Sequence, residues 1–393
     1  MEDTQNQALR ANIRKYFLYQ FSSNLVFFGP VIVLFWQSRG LSMTQVMLLQ
    51  STYAVTTIFF ELPTGAFADR FGKKLSLLMG SLFLTIGLLL YGFGRNFFEL
   101  ALFEATCGIG TSFISGADRA FIHETLFLSG REKEYQKVEG RARGLNQIAN
   151  GIGNFFGGFI GAVSLPLTLT FSAVPVFISF LIGLFFHKTK DFLPREEKTD
   201  YPVIIKESLK IVKNNKEILW LTAFSAVFGS FAWMLIWFAQ PYLQLLNVPL
   251  VYWGAIFAGF SLTAAVASSF AHRFEAITKN KPFFAMAIIV VVSLFLLGAF
   301  PSVFIFPLWS LFTAFVLINR TLMSGRVLAI VPANRSATVL SFQNLSTKLS
   351  YALIGPLIGA LSDSFGLTKT LQIDAVLLAI ILGILLLKKP STI

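Results

Sequence analysis

Twelve long apolar runs dominate the chain, and they constrain its fold more than any other feature. Each run is 18 to 25 residues long, close to the roughly 20 residues that an α-helix needs to cross the hydrocarbon core of a bilayer. Only 13% of the 393 residues are charged, about half the share usual in soluble domains. This composition excludes a soluble enzyme, a DNA-binding module and a secreted scaffold. We therefore expect an all-α polytopic membrane protein with twelve transmembrane helices, at residues 16–37, 43–66, 75–94, 97–118, 142–163, 168–187, 217–241, 251–271, 283–300, 302–322, 337–361 and 370–387.

The basic residues predict the orientation of these spans. If both termini are cytoplasmic, only Arg39, Arg95 and Lys369 lie outside, Arg119 and Lys348 lie within spans, and the other 27 of the 32 Lys and Arg residues lie inside. Such an excess of cytoplasmic Lys and Arg fixes the topology of membrane proteins. It also accounts for the net charge of +12 without a nucleic-acid partner. We expect a multi-pass protein of the cytoplasmic membrane.

One long polar segment, residues 188–216, divides the chain. Six runs precede it and six follow, which predicts an N-terminal six-helix bundle over 1–187 and a C-terminal six-helix bundle over 217–393. The second part of the segment sets Ile204, Ile205, Leu209 and Val212 against lysines with helical spacing. This pattern predicts a cytoplasmic linker with an amphipathic helix at the membrane interface; a solvated linker is the alternative.

The two halves repeat each other in sequence. Phe67-Ala68-Asp69-Arg70-Phe71 ends span two, and Phe270-Ala271-His272-Arg273-Phe274 ends span eight, with four matches in five at an offset of 203. Gly161 of span five and Gly359 of span eleven correspond at an offset of 198. Repeats at corresponding positions of two six-span halves are typical of transporters that rock one half against the other. We therefore expect two pseudo-symmetric bundles.

The loop between spans two and three carries a specific motif, Gly65-Ala66-Phe67-Ala68-Asp69-Arg70-Phe71-Gly72-Lys73-Lys74. It resembles the signature loop of the major facilitator superfamily, G-x-x-x-D-R-x-G-R/K-R/K. The glycines alone predict close helix approach and a tight turn. The resemblance implies a conformational latch, in which Asp69 lies against the start of span eleven and holds the outward-facing state. The latch would consist of Gly65, Asp69, Arg70, Gly72, Lys73 and Lys74; a loop that only sets topology is the alternative.

Softer patterns resemble the bacterial drug-efflux-like branch of this superfamily. They are Glu61 to Gly65 and Ser115 to Leu126. Two positions depart from that branch. Glu104 occupies the place where many antiporters carry Arg in span four, and Gly158 stands where drug antiporters have Pro in span five. The second departure weakens the inference of drug/proton antiport, although Gly153, Gly157 and Gly161 keep a small-residue face that permits close packing.

Glu104 is the main candidate for proton coupling. It lies about eight residues into span four, and an ionisable residue inside a span is costly enough to suggest a function. A hydrated carboxylate near the outer surface is the alternative. Glu61 and Asp118, nearer the cytoplasmic side, are further coupling candidates.

The resemblance also implies a central cavity lined by spans one, four, seven and ten with parts of five and eleven. Aromatic side chains of span seven could stack on an apolar or cationic ligand, although plain packing accounts for most of them. The cavity candidates are Asn24, Glu104, Asn150, Phe231, Trp233 and Lys348.

Together these features predict a secondary active transporter that works by alternating access. The favoured interpretation is proton-coupled efflux of a lipophilic or cationic compound by a monomer. An importer or facilitator of a small metabolite remains open, since Lys348 could attract an anion, and so does a channel or scramblase. The three histidines are isolated, and the sequence has no glycine-rich nucleotide loop. We therefore predict no catalytic residues, no metal site and no cofactor. The expected partners are a small-molecule substrate, protons and the lipid bilayer.

Overall fold

The computed structural model describes residues 2–189, 210, 212–278, 281–331 and 333–390. Within these residues the chain is helical, with short connections and no strand. The all-α prediction is therefore confirmed. Most of the predicted amphipathic helix in 188–216 lies outside the described residues.

The helices follow the apolar runs closely. Those of the N-terminal part are α1 (Glu2–Asn24), α2 (Ile32–Ser38), α3 (Met43–Phe71), α4 (Lys73–Tyr91), α5 (Phe97–Ile114), α6 (Ala117–Leu128), α7 (Tyr135–Val163) and α8 (Leu165–Leu184). Those of the C-terminal part are α9 (Lys216–Leu245), α10 (Leu250–Ser269), α11 (Ala271–Ile277), α12 (Pro282–Ala299), α13 (Trp309–Ile330), α14 (Ala333–Phe365) and α15 (Leu367–Leu387). Each of the twelve predicted spans falls on one of these helices or on a neighbouring pair.

Seven stretches of the described residues are long and apolar enough to cross a membrane by length and composition. They are 73–91, 97–128, 165–184, 216–245, 282–299, 306–330 and 367–387. The other predicted spans fall on α1 with α2 and on α3, α7, α10 and α14. Polar residues in several of these helices lower the average hydropathy, and α1 and α7 begin in polar sequence. They also carry several of the candidate site residues.

Predicted span one is not a continuous helix, which corrects the expectation of one helix over 16–37. Helix α1 ends at Asn24, and α2 begins only at Ile32. Between them, Ser172 of α8 accepts a hydrogen bond from the Phe27 backbone N–H at 2.8 Å. Such bonds to protein groups are what allows non-helical backbone at membrane depth.

Helix α7 packs directly on this non-helical segment through its small-residue face. A Cβ atom added to Gly153 would lie 2.2 Å from the Val26 carbonyl oxygen, and one added to Gly157 would lie 2.0 Å from the Phe27 carbonyl oxygen. Only glycine leaves room for backbone at these distances. The glycine spacing of span five therefore serves to hold the break in span one.

The described residues belong to two compact units. The first unit comprises Met1–Phe35, Thr52–Glu197 and Pro249–Ala258, and the second comprises Trp36–Ser51, Lys198–Val248 and Gly259–Ile393. Each unit thus includes the beginning of a helix from the other half of the sequence. The division into bundles at 188–216 remains a prediction.

Those two helix beginnings make corresponding close contacts. In the first unit, a Cβ added to Gly158 of α7 would lie 2.5 Å from the backbone nitrogen of Gly254 at the start of α10. In the second unit, a Cβ added to Gly359 of α14 would lie 2.7 Å from the carbonyl oxygen of Met43 at the start of α3. Small residues let the backbones approach in both places. Predicted span five thus meets span eight, and span eleven meets span two, so the contacts are equivalent between helices, although Gly158 and Gly359 are three residues away from the offset of 198.

An aromatic and aliphatic core fills one end of the first unit. Tyr19 and Phe186 have ring centroids 5.6 Å apart, and Phe121 lies 4.5 Å from Phe186. The Tyr19 hydroxyl lies 2.9 Å from the Ser81 hydroxyl of α4, so its polar atom is satisfied inside the core. This core fixes α1 against α4 and α6, next to the polar residues described below.

Candidate functional site

The signature loop forms a sharp connection between α3 and α4. Gly72 has a φ of +96°, a left-handed conformation that favours glycine. Asp69 forms an ion pair with Lys73 one turn later, and Lys74 donates a hydrogen bond of 2.7 Å to the carbonyl of Leu184. The loop is therefore held against α8 by Lys74.

The proposed partner of Asp69 at the start of span eleven lies outside the residues whose side chains are described. Among the other motif residues, Gly65 is half-buried in α3, and the Arg70 guanidinium lies 5.3 Å from the Phe71 ring centroid. The latch function therefore stays a prediction.

Glu104 lies in the packed interface between α5 and α3. Its side chain is 9% exposed. Tyr53 and Cys107 are close enough to interact electrostatically with its carboxyl group. The Tyr53 hydroxyl donates a hydrogen bond to the Thr111 hydroxyl at 3.0 Å. A carboxylate here is shielded from water by apolar helices, where an ionisable side chain is costly and often functional.

Asp118 belongs to a polar network that joins α1, α6 and α7. The Gln20 amide nitrogen donates to Asp118 Oδ2 at 3.1 Å and to the Tyr16 hydroxyl at 2.8 Å. The Tyr16 hydroxyl in turn donates to Glu139 at 3.4 Å, and the side-chain amides of Gln20 and Asn146 lie 3.2 Å apart. The network places two carboxylates, Asp118 and Glu139, on one hydrogen-bonded chain.

Sequence reasoning did not include Tyr16 and Glu139 among the site candidates. Tyr16 lies one turn before Gln20 in α1, a spacing that could have suggested the pair. Glu139 lies before the predicted span 142–163, but α7 begins at Tyr135 and puts it two turns before Asn146. The early start of α7 is what brings Glu139 into the network.

Asn24 extends this network towards the break in span one. Asn24 is the last residue of α1, and its amide donates to the carbonyl of Gln20 at 2.9 Å. Asn150 is half-buried on α7, one turn after Asn146. Glu61, the remaining coupling candidate, is exposed on α3.

The candidates of the second unit lie on α9 and α14. Phe231 is 3% exposed, whereas Trp233 is 46% exposed. The Trp233 ring meets that of Tyr351 edge to face at 6.3 Å, and half-buried Lys348 lies one turn before Tyr351 on α14. The structure thus places Trp233 and Lys348 on neighbouring helices of the same unit, while Phe231 belongs to the core.

A second pair of aromatic rings lies beside them. Trp36 and Trp237 have ring centroids 5.7 Å apart. The buried Trp237 indole nitrogen has no hydrogen-bond acceptor among the described residues, and a buried indole N–H usually has one. No group of three His, Cys, Asp or Glu residues in the described part of the chain could hold a metal ion.

Comparison with known proteins relates this architecture to one family. The model of the Major Facilitator Superfamily matches residues 16–349. An uncharacterized MFS-type transporter of Bacillus subtilis, YxaM, is 25% identical over 368 residues, which cover 90% of this chain and 89% of that protein. Multidrug resistance protein 1 of Bacillus subtilis is 26% identical over 157 residues, which cover 39% of each chain.

Solved structures share the fold over nearly the whole chain. The nucleoside transporter NupG superimposes with a TM-score of 0.77 at 13% identity, covering 97% of this chain and 98% of that one. A bacterial homologue of the human lysosomal transporter Spinster gives a TM-score of 0.74 at 17% identity, covering 98% and 96%. These likenesses concern the fold alone, and they confirm the predicted fold class.

Proposed function

The chain belongs to the Major Facilitator Superfamily, and from this premise we propose that it exports a lipophilic or cationic small molecule in exchange for protons. As a member of this family it is a multi-pass membrane transporter and not an enzyme. The proposal adds the direction, the coupling ion and the substrate class. It also includes the predicted orientation, with both termini in the cytoplasm.

The buried carboxylate of Glu104 carries the proposal. Exchange requires that proton and substrate compete for the same protein, so that binding of one disfavours binding of the other. A single negative group in a region of low dielectric meets this requirement, because a proton and an organic cation both neutralise it. Glu104 is 9% exposed and lies within an apolar helix. An ionisable side chain is costly there and therefore usually has a function.

The network around Asp118 supports a second proton position in the same unit. Gln20 bonds Asp118, and Tyr16 links Gln20 to Glu139. Because hydrogen bonds in one network polarise each other, a change in the protonation of one acid affects the hydrogen bonds made to the other. Asp118 is therefore the residue to test next, and Glu61 follows it.

The substrate class is inferred from the exposed aromatic surface of the second unit. Trp233 is exposed, and the buried ring of Tyr351 packs against it edge to face. Aromatic faces attract organic cations and apolar molecules. The similarity to a multidrug resistance protein supports the same class.

Alternating access is supported by the paired contacts at Gly158 and Gly359. They occur at the starts of α10 and α3, which occupy equivalent places in the two halves of the sequence. A transporter that rocks one repeat against the other needs such equivalent contacts.

The test is transport by the purified full chain in proteoliposomes with an imposed pH gradient. Ethidium, a fluorescent lipophilic cation, serves as the probe. We expect the wild type to accumulate ethidium against its gradient and Glu104→Gln to lose this accumulation. The variant should still exchange labelled for unlabelled ethidium, since that exchange needs no net proton movement.

Glu99→Gln is the matched control. Glu99 lies in the first turn of the same helix, where it accepts a hydrogen bond from the Arg95 backbone N–H at 2.9 Å, and Gln can replace it there. This variant should behave like the wild type. Accumulation by Glu104→Gln at the wild-type level would refute Glu104 as the coupling site, and uptake of an anionic metabolite instead of ethidium would favour import through Lys348.

A further inference from the structure

A cavity of about 260 Å³ lies between the start of α12 and the end of α15, within the second unit. It is lined by Lys281, Phe283, Phe284, Leu386 and Lys389. Its volume is several times the ~30 Å³ that one water occupies in the liquid. The cavity therefore has room for a group as large as a phosphate ester.

The polar part of this cavity is cationic. Lys281 and Lys389 are its two charged residues, and none of the five lining residues is acidic. Arg326 lies beside them, with its guanidinium 5.0 Å from the Phe283 ring centroid. Glu275 contacts Arg326 at 2.6 Å, and none of the lining residues that the structure describes is an acid that could pair with the two lysines.

Two lysine ammonium groups in one cavity repel each other. Lys389 lies two residues after the end of α15, outside the membrane span. Burial lowers the pKa of Lys389, and the positive charges of Arg326 and Lys281 lower it further. Cations crowded in this way are stabilised by an anion that binds between them.

The apolar side chains of the cavity lie on the two helix ends that enter the lipid. Phe284 is 54% exposed in the first turn of α12, and Leu386 is half-buried in the last turn of α15. Both helices are apolar enough to span the membrane, so their ends at the cavity lie near the membrane–water interface. A molecule held here would meet lysines at its head and apolar side chains along its body.

We propose that this cavity binds the phosphate headgroup of an anionic phospholipid between Lys281 and Lys389, with an acyl chain along Phe284 and Leu386. Basic pockets between transmembrane helices are suited to such headgroups. A free phosphate ion would use the lysines but not the apolar side chains. The lipid therefore fits the whole lining better than the free ion.

The test measures the thermal stability of the full chain, purified in detergent and depleted of lipid, with increasing palmitoyl-oleoyl phosphatidylglycerol. A molecule that binds only the folded state raises the melting temperature. Phosphatidylglycerol should raise it, whereas phosphatidylcholine and inorganic phosphate should not. The double variant Lys281→Gln with Lys389→Gln should bind phosphatidylglycerol roughly 30-fold more weakly, about 2 kcal/mol at 1 kcal/mol for each lysine.

The matched control is Lys133→Gln with Lys137→Gln, which removes the same charge from two exposed lysines of the first unit. It should retain the wild-type response. An equal response to phosphatidylcholine, an equal response to inorganic phosphate, or wild-type binding by the cavity variant would each overturn the proposal. If the cavity variant fails to fold, wild-type protein exposed to phosphatidylglycerol with a photoreactive acyl chain decides the question: labelling within 281–290 or 384–390 supports the site, and labelling only elsewhere refutes it.

Discussion

Gly157→Ala tests whether the small-residue face of α7 holds the break in span one. The added Cβ would lie 2.0 Å from the Phe27 carbonyl oxygen. Ordinary contacts of a Cβ begin at 3.4 Å, so helix and segment must separate by the difference, about 1.4 Å. Phe27 cannot easily shift away as a whole residue, because its backbone N–H is hydrogen-bonded to the Ser172 hydroxyl. Overpacking of this kind typically costs about 1–3 kcal/mol.

Gly151→Ala is the control for this substitution in the same helix. A Cβ at Gly151 would have no neighbouring atom within 4 Å. Both variants gain the roughly 1 kcal/mol by which alanine exceeds glycine in helix propensity, so their difference isolates the overpacking at Gly157.

Melting temperatures in detergent provide the measurement. At about 2 °C per kcal/mol, the lower end for larger domains, Gly157→Ala should melt roughly 2–6 °C below Gly151→Ala. Equal melting temperatures would refute the argument that backbone contact with Phe27 requires glycine at position 157.

Three further substitutions test the signature loop between α3 and α4 and the contact at the start of α3. Asp69→Asn should strongly reduce transport while membrane insertion stays normal. Lys73→Gln should have little effect if the ion pair with Lys73 is not the functional contact of Asp69. Equal losses of transport in the two variants would mean that Asp69 acts only through its ion pair with Lys73. Asp363→Ala should destabilise the chain by about 0.5–2 kcal/mol, because the Asp363 carboxylate accepts hydrogen bonds from the backbone N–H groups of Met43 at 2.8 Å and Thr44 at 2.9 Å. Partial burial acts to raise the pKa of Asp363, which lies beyond the predicted span 337–361, but the hydrogen bonds from Thr44 and its neighbours outweigh it and lower the pKa. A lowered pKa means that the stabilisation is present at neutral pH and is lost as the pH falls through the pKa of the folded state, so melting curves of wild type and Asp363→Ala should converge in acid; a constant difference would contradict this assignment.

The positions of the helices could be predicted from sequence because an apolar run is a local property. The length of each run suffices to identify a membrane-crossing helix. The break after Asn24 could not be predicted in this way, since Gly29 and Pro30 are also tolerated inside packed membrane helices. What decides it is the backbone of α7, which approaches 25–31 only because Gly153 and Gly157 lack side chains.

The candidate site was predicted only in part for a similar reason. Glu104 stands out in sequence because a charge within an apolar run is conspicuous. Asp118 and Gln20 are 98 residues apart, and no spacing rule connects residues on different helices. Their hydrogen bond follows from the packing of α1 against α6, which the sequence does not encode locally.

Helix α3 links the two units through the chain itself, since residues 43–51 belong to the second unit and 52–71 to the first. If the proposed alternating access separates these two parts of α3, it must either bend the helix near Ser51 or release its first turn from Gly359 and Asp363. The proline of this helix, Pro63, lies well beyond Ser51, so the ladder of backbone hydrogen bonds at Ser51 has no built-in weak point. Breaking that ladder at membrane depth leaves polar groups unsatisfied at several kcal/mol each, whereas freeing a helix cap costs about 0.5–2 kcal/mol. Release at Asp363 requires less free energy, so under the proposed mechanism we expect the first turn of α3 to separate from Asp363 while the helix stays straight at Ser51.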